Sequence, residues 1–194
     1  MTDAAADPVV PAPGGAPGPT TPSGAPALQI TGLRKAFGQK VAVDDLQLTV
    51  PTGSFYGLVG PNGAGKTTTL SMATGLLRPD AGTITVLGTD VWRDTVRAKS
   101  LVGVLSDGVA LFDRLTGEQL VTYHGLLNGI DRETVAQRTG DLLDLLDLRG
   151  AGGTLVVDYS AGMTKKIGLA CALIHAPRLL VLDEPFEAVD PVSG

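Results

Sequence analysis

Cysteine, aromatic residues and long apolar runs are all scarce in this 194-residue chain. Cys171 is the single cysteine, so no internal disulfide can form, and a reducing, cytosolic setting suits the chain. Its position in an apolar helical stripe favours a core role over a reactive thiol. No apolar run approaches the roughly 18 residues of a membrane-spanning helix, so the sequence predicts none.

Positive charge is in the minority. Fifteen Lys and Arg residues against 20 Asp and Glu residues give a net charge of −5. This balance disfavours a nucleic-acid binder that relies on bulk positive charge, and we expect no nucleic-acid partner. Hydrophobic residues make up 43% of the chain, which is enough for a core, and the length predicts one domain with a subdomain at most.

The first 27 residues differ from the rest in composition. They hold seven of the 13 prolines, four glycines and seven alanines, and Asp3 and Asp7 are their only charged side chains. Such a segment cannot bury enough surface to offset the entropy of ordering, so we predict a disordered tail over residues 1–27. The basic start and apolar core of a signal peptide are missing. The folded part is predicted to span residues 28–194.

One stretch fits the pattern G-x-x-x-x-G-K-[ST], in which backbone N–H groups and a lysine cradle phosphates while a hydroxyl reaches Mg²⁺. Its residues, with the threonine that follows, are Gly60, Pro61, Asn62, Gly63, Ala64, Gly65, Lys66, Thr67 and Thr68. Residues 54–59 are apolar and predict a buried strand entering the loop, and residues 67–77 predict a helix leaving it. This order aims a helix N-terminus at the phosphates. The alternative is a glycine-rich surface turn that contains a lysine.

The remaining pattern predicts strands first and helices afterwards. Alternating or continuous apolar stretches predict strands at residues 28–30, 46–50, 83–87 and 101–105. A capping box at Thr116 predicts a helix to about residue 128, and a second helix is expected over residues 131–148. Together these helices form a predicted insertion subdomain at about residues 115–160. Ser160 is a candidate N-cap for a third helix, which should continue until Pro177.

The apolar residues 179–182 predict a fully buried strand of a parallel sheet, and two acidic residues follow it. They are Asp183 and Glu184. Ligands of open parallel sheets bind at the carboxyl ends of the strands. One carboxylate can hold Mg²⁺ and the next can deprotonate an attacking water. This pattern is weak alone but strong beside the glycine loop.

At this point the chain resembles the ATP-binding subunits of ABC transporters, of the drug-resistance export type. Tyr159 followed by Ser160-Ala161-Gly162-Met163 is similar to the family's signature motif, and residues 179–185 are similar to its Walker B motif. Residues 187–190 stand at the place of its D-loop. Phe37 stands where an aromatic ring stacks on adenine in that family. The resemblance covers about residues 28–194.

The resemblance implies a P-loop NTPase fold, with a mostly parallel sheet, an N-terminal antiparallel β portion and a helical insertion. It assigns ATP phosphates to Lys66 and the loop, Mg²⁺ to Thr67 and Asp183, and the general base to Glu184. Ser160 and Gly162 would contact the γ-phosphate held by a second subunit in a head-to-tail dimer. Ser160 can serve as a helix cap at the same time. The alternative for Phe37 is an ordinary buried aromatic residue without a role in binding adenine.

Three departures from the family pattern stand out. Asp107 occupies the position of the usual glutamine; its carboxylate can reach Mg²⁺ but donates no hydrogen bond. Glu187 and Ala188 replace a small Ser-Gly pair in the D-loop. The chain ends at Gly194, whereas family members continue to a further strand and a switch histidine. We therefore expect the C-terminal part of the core to be missing, with exposed strand edges, apolar faces and poor stability.

The resemblance implies an ATPase that drives transport, with export favoured, through a separate membrane permease. The subunit is expected in the cytoplasm, peripheral on the inner face of the cell membrane. Two alternatives remain open at this stage. One is a non-transport ABC-type ATPase acting on ribosomes or nucleic acid, and the other is a nucleotide-binding remnant without turnover. His124 and His175 match no motif, so we expect satisfied structural or exposed histidines.

Overall fold

The computed structural model describes residues 24–106 and 111–183. Its strands are β1 Leu28–Phe37, β2 Lys40–Val50, β3 Ala81–Val86, β4 Thr89–Asp90, β5 Val102–Leu105 and β6 Leu179–Leu182. Its α-helices are α1 Lys66–Ala73, α2 Thr95–Ser100, α3 Gly117–Leu127, α4 Arg132–Leu145 and α5 Ala161–Leu173. Two 3₁₀ turns lie at Arg149–Ala151 and Val156–Asp158. All strands expected from the sequence are present except one.

The N-terminal half forms an antiparallel sheet in the order β2-β1-β3-β4. β1 and β2 are joined by a tight hairpin in which Phe37 pairs with Lys40, and Gly38 has a φ of 59°. Left-handed backbone of this kind favours glycine at a hairpin turn. Ile30, Leu33 and Ile84 are fully buried beneath the sheet. This is the antiparallel β portion that the sequence predicted.

β5 and β6 form a second, parallel sheet. Their register pairs Val102 with Leu179 and Leu105 with Leu182, so both strands end at the same level. The crossover between them contains α3, α4 and α5. β6 is less buried than predicted, because Leu180 is 38% exposed and only Val181 is buried. Within the described residues β6 has a strand neighbour on one side only, which accounts for the open face.

The predicted strand at residues 54–59 is not formed. These residues have no regular structure, and the side chains of Phe55 and Val59 are 93% and 89% exposed. A strand is held by hydrogen bonds to a neighbour, and no strand of the described ranges pairs with this segment. The prediction of a buried strand was wrong here.

The helical part packs around its own apolar cluster. The capping box of α3 is confirmed: the Thr116 Oγ1 accepts from the Gln119 N–H at 3.2 Å, and the Gln119 Oε1 accepts from the Thr116 N–H at 3.0 Å. Leu120, Ile167 and Ile174 are buried at the centre of the cluster. A separate cluster lies beneath the antiparallel sheet and reaches β5 and β6. In the described part of the chain, no helix has both the length and the apolar character needed to cross a bilayer.

Three helices end earlier than the sequence suggested. α1 ends at Ala73 instead of residue 77, α4 at Leu145 instead of residue 148, and α5 at Leu173 instead of running to Pro177. A left-handed residue follows within three positions of each end: Gly75 (φ 71°), Asp147 (φ 55°) and Ala176 (φ 52°). Such residues terminate helices by turning the chain away from the axis. Ala176 also precedes a proline, which disfavours helical backbone.

Candidate functional site

The glycine loop leads directly into α1, as predicted, because Gly65 is the residue that precedes its first turn. Gly63 and Gly65 have φ angles of 81° and 84°, a region that only glycine adopts without strain. A Cβ on Gly65 would also collide with the carbonyl oxygen of Ala42 in β2. Glycine at this position therefore lets the loop lie against β2, which fixes it relative to the β1–β2 hairpin.

Lys66 folds back over the loop that precedes it. Its Nζ donates hydrogen bonds to the Gly60 carbonyl oxygen at 2.7 Å and to the Pro61 carbonyl oxygen at 3.0 Å. The side chain is partly buried. These two contacts hold an ammonium group within the curve of the loop, where it can attract phosphate oxygens.

The N-terminus of α1 differs from the other described helices. Side chains of Asp94, Thr116, Asp131 and Ser160 each accept a backbone N–H at the start of α2, α3, α4 and α5, respectively. Among the five α-helices of the described ranges, α1 alone has no side-chain cap. The first N–H groups of a helix lack intrahelical acceptors. Those of α1 are therefore available to an anionic ligand, together with the positive end of the helix dipole.

Phe37 ends β1 with its ring 52% exposed, so the rival interpretation as a buried core aromatic is wrong. The Nζ of Lys35 lies 5.7 Å from the ring centroid. Phe37 pairs with Lys40, and Ala42, which touches the glycine loop, stands two residues further along β2. At about 3.4 Å per residue, Lys40 and Ala42 are roughly 7 Å apart along β2. Phe37, which pairs with Lys40, therefore lies close to the part of β2 that contacts the glycine loop.

The β1 end that carries Phe37 is held by Asp80. The carboxylate of Asp80 accepts from Lys35 Nζ at 2.8 Å and from the Ala36 N–H at 2.8 Å. The Asp80 N–H donates to the Arg34 carbonyl oxygen at 2.9 Å. The hydrogen bond from Lys35, followed by that from Ala36, lowers the pKa of Asp80. The carboxylate is therefore charged at neutral pH and ties the hairpin to the turn before β3.

Asp183 lies at the carboxyl end of β6, where the sequence placed it. This residue follows the last paired residue of β6, and its N–H donates to the Leu105 carbonyl oxygen at 2.8 Å. That bond continues the parallel ladder, so Ser106 and Asp183 leave the two strands side by side. Asp107 and Glu184, predicted to act on Mg²⁺ and on water, lie outside the described residues.

Ser160 caps α5: its Oγ accepts from the Met163 N–H at 3.2 Å, as the sequence predicted. Ser160 and Gly162 are exposed, and a Cβ on Gly162 would meet open space. The residue before the cap is fixed, because the Tyr159 hydroxyl donates to the Ala151 carbonyl oxygen at 2.8 Å. Burial raises the pKa of Tyr159. The start of α5 is thus anchored on one side and open on the other.

The two histidines and the cysteine lie in the helical part. Cys171 is buried, and burial raises the pKa of its thiol to about 12, which agrees with a core role. The pKa of His124 is lowered, first by burial and then by the charge of His175. His175 was expected to be satisfied or exposed, and only one of its two ring nitrogens has a partner among the described residues. Its Nε2 lies 3.1 Å from the Val102 carbonyl oxygen, whereas its Nδ1 is buried without a partner in the described residues.

Four residues that position parts of the site were not predicted from the sequence in that role: Lys35, Ala42, Asp80 and Tyr159. Asp80 and Lys35 are 45 residues apart, and no local pattern links them. Ala42 contributes only a backbone oxygen, so its side chain carries no signal. The contact of Asp80 with β1 depends on tertiary pairing.

A comparison with protein families matches the ABC transporter model over residues 43–187. That range contains the glycine loop, the capped start of α5 and the acidic end of β6. The chain belongs to the ABC transporter family. The match covers most of the chain and agrees with the P-loop NTPase fold inferred from the motifs.

Curated relatives belong to the ATP-binding members of this family. A linearmycin resistance ATP-binding protein of Bacillus subtilis is 35% identical over 166 residues, covering 86% of this chain and 53% of that protein. A daunorubicin resistance ATP-binding protein of Streptomyces coeruleorubidus is 40% identical over 165 residues, covering 85% of this chain and 52% of that protein. The chain thus spans about half the length of the curated relatives it matches.

A solved structure described as the ATP-binding subunit of an ABC transporter has the same fold. Its TM-score is 0.76 at 25% identity, and the alignment covers 83% of this chain and 67% of that one. The similarity confirms the fold class predicted from the sequence.

Proposed function

We propose that this chain binds ATP with Mg²⁺ at the loop of residues 60–67. As the ATP-binding subunit of an ABC exporter, it would hydrolyse ATP to drive transport through a separate membrane permease. The observation that carries the proposal is the Lys66 ammonium group held within the loop by the Gly60 and Pro61 carbonyl oxygens. The family match adds support, because it covers the loop, the start of α5 and the acidic end of β6.

The residues present fit a triphosphate. α1 begins with an uncapped N-terminus, and two left-handed glycines leave the loop backbone free of side chains. A lysine adjacent to those N–H groups adds a full positive charge. On binding, Lys66 would exchange its two carbonyl acceptors for phosphate oxygens, forming charge-assisted hydrogen bonds that are stronger than neutral ones. Phe37 offers an exposed ring for the adenine base near the same loop.

The donor set also fits Mg²⁺, which prefers oxygen ligands and retains several waters. The Thr67 hydroxyl would contribute one ligand and the Asp183 carboxylate another, with Asp107 as a further candidate. Bound Mg²⁺ would neutralise charge on the phosphates. Glu184 follows Asp183 directly in sequence and is our candidate general base, taking a proton from the attacking water.

A second ATP-binding subunit would complete the site. Ser160 and Gly162 are exposed at the start of α5, and Gly162 has no neighbour that would block a close approach. In the head-to-tail arrangement, these residues would contact the γ-phosphate held by the other subunit. Closing and reopening of this dimer would couple the ATPase cycle to the permease.

The proposed direction of transport, export, is based on the names of the relatives. They include resistance ATP-binding proteins and a Nod factor export ATP-binding protein of Sinorhizobium fredii, 39% identical over 165 residues. We infer that the subunit works at the cytoplasmic face of the cell membrane, beside a permease that selects the transported compound.

The test is phosphate release from ATP by the chain reconstituted with its permease in membranes. We expect turnover that is lost in Glu184→Gln while ATP binding is retained, because only proton abstraction is removed. Glu118→Gln, an exposed glutamate in the first turn of α3, is the matched control and should keep turnover. Tight ATP binding without phosphate release would contradict the ATPase role, and co-purification with ribosomes or DNA instead of a permease would contradict the transport role.

A further inference from the structure

The end of β1 extends beyond the strand that pairs with it on one side. The pairing of β1 with β3 ends at Arg34 and Ala81, whereas β1 continues to Phe37. Asp80, the residue before β3, takes the place of a strand neighbour there. Its N–H donates to the Arg34 carbonyl oxygen at 2.9 Å, and its carboxylate accepts from the Ala36 N–H at 2.8 Å. One side chain therefore continues the hydrogen bonding of this sheet edge towards Phe37.

Lys35 connects this carboxylate to the aromatic ring. Its Nζ donates to the Asp80 carboxylate at 2.8 Å and lies over the Phe37 ring, 5.7 Å from the centroid. The Lys35 side chain is only 15% exposed, and a lysine is rarely so buried unless its charge is paired. A cation within about 6 Å of a ring centroid attracts the ring. The Phe37 ring therefore has a fixed cationic neighbour, while about half of the residue stays exposed.

The glycine loop contacts the same hairpin through a different residue. The Ala42 carbonyl oxygen lies where a Cβ on Gly65 would collide with it, and Ala42 stands two residues beyond the partner of Phe37. The hydrogen bonds that the structure gives Asp80 all run to β1. A change at Asp80 should therefore reach a bound nucleotide through the strand end that carries Phe37, and not through the phosphate loop.

We propose that Asp80 is a positioning residue for the nucleobase: together with Lys35, it holds the Phe37 ring in the orientation that stacks on adenine. The inference rests on the proposed function, because ATP must place its base on Phe37. Ordering a side chain during binding lowers the affinity, and a ring that is held before binding avoids that loss. Asp80 should therefore strengthen the binding of ATP without affecting the binding of its phosphates alone.

The experiment compares Mg–ATP with Mg–tripolyphosphate, which has no base, by calorimetric titration into the 194-residue chain. Asp80→Asn removes the charge and one of the two acceptor oxygens. It should weaken ATP about fivefold, within the range for ordering one side chain on binding. The affinity for tripolyphosphate should be unchanged. Asp44→Asn is the matched control, because this exposed carboxylate on the same hairpin lies 3.6 Å from Arg34 Nη1, and neither ligand should bind more weakly.

A double-mutant cycle with Phe37→Ala tests whether Asp80 acts through the ring. In the Phe37→Ala background, Asp80→Asn should cause no further loss of ATP affinity, because no ring remains to be positioned. Two variants of Lys35 test the connection between the carboxylate and the ring. Lys35→Met should weaken ATP as much as Asp80→Asn does. Lys35→Arg keeps a cation that can pair with the carboxylate and should retain most of the affinity.

Equal losses for ATP and tripolyphosphate in Asp80→Asn would mean a general structural role. An undiminished loss of ATP affinity in the Phe37→Ala background would mean that Asp80 does not act through the ring. Either result, or unchanged ATP affinity in Asp80→Asn, would overturn the inference and leave the proposed function intact. If Phe37→Ala itself leaves the ATP affinity unchanged, the adenine contact of the proposed function fails, and the inference fails with it.

Discussion

Asp80 accepts a 2.8 Å hydrogen bond from the Lys35 Nζ, and the same ammonium group lies 5.7 Å from the centroid of the Phe37 ring. The aromatic residue is therefore exposed but not free to move with the tip of a loose hairpin. A clamp 45 residues away in sequence fixes the strand end that carries it. This arrangement suits a ring that stacks on a base, because a prepositioned side chain loses little entropy on binding.

Replacing Phe37 with alanine should weaken ATP binding about tenfold, since stacking of a base on an aromatic ring contributes roughly 1–3 kcal/mol. Phe37→Trp should retain the affinity, and binding of pyrophosphate should be the same in all three proteins. Phe112→Ala is the control, because that ring is similarly exposed, at 58%. Competition titrations measure the affinities. An equal loss for ATP and pyrophosphate would show that Phe37 does not contact the base.

Gly65→Ala should destabilise the chain more than Gly63→Ala. Both residues are left-handed, so each alanine introduces backbone strain of about 1–2 kcal/mol. Only at Gly65 would the new Cβ also collide with the Ala42 backbone, whereas Gly63 has nothing within 4 Å. Urea denaturation compares the two. Equal effects would mean that the loop does not rest on β2.

The motifs and the local signals were readable from the sequence. The capping box at Thr116, the cap at Ser160 and the glycine loop each depend on neighbouring residues and appear where they were predicted. β5 and β6 were each predicted as strands from their apolar sequence, and the structure pairs them in parallel on either side of a helical crossover.

The features that the sequence did not predict depend on pairing between segments that are far apart in the chain. Residues 54–59 have the composition of a buried strand, yet without a paired neighbour their backbone stays irregular and Phe55 is exposed. The clamp between Asp80 and Lys35 likewise exists only because β1 and β3 are paired. Apolar composition predicts the preference of a segment, and the neighbours decide whether that preference is met.

Tyr159→Phe should lower the free energy of unfolding by about 1 kcal/mol, the usual contribution of one hydrogen bond. The lost bond is the one to the Ala151 carbonyl oxygen, which anchors the residue before the cap of α5. Tyr123→Phe is the control, because Tyr123 is 41% exposed. Urea denaturation gives the free energy of unfolding of both variants. If Tyr159→Phe lowers it no more than Tyr123→Phe does, Tyr159 does not anchor the start of α5.

The stability of the chain should fall as the pH drops below about 6.5, the ordinary histidine pKa. The pKa of His124 is lowered in the folded chain, so below this pH the unfolded state binds more protons. The loss continues until the pH reaches the folded pKa. Asp80, Asp131 and Asp144 also have lowered pKa values, and they contribute only at lower pH, near and below 3.8. His124→Gln should flatten the curve just below about pH 6.5, and an unchanged slope there would contradict the assignment.

The central claim is that the Lys66 loop holds the phosphates of ATP. Calorimetric titration of Mg–ATP into the unmodified chain and into Lys66→Ala tests it, with Lys99→Ala as a control lysine outside the loop. A lost charge-assisted contact of roughly 1.5–3 kcal/mol corresponds to a fall in affinity of at least about tenfold. We predict that fall for Lys66→Ala and unchanged binding for Lys99→Ala. Equal ATP affinity in the unmodified chain and in Lys66→Ala would contradict the account.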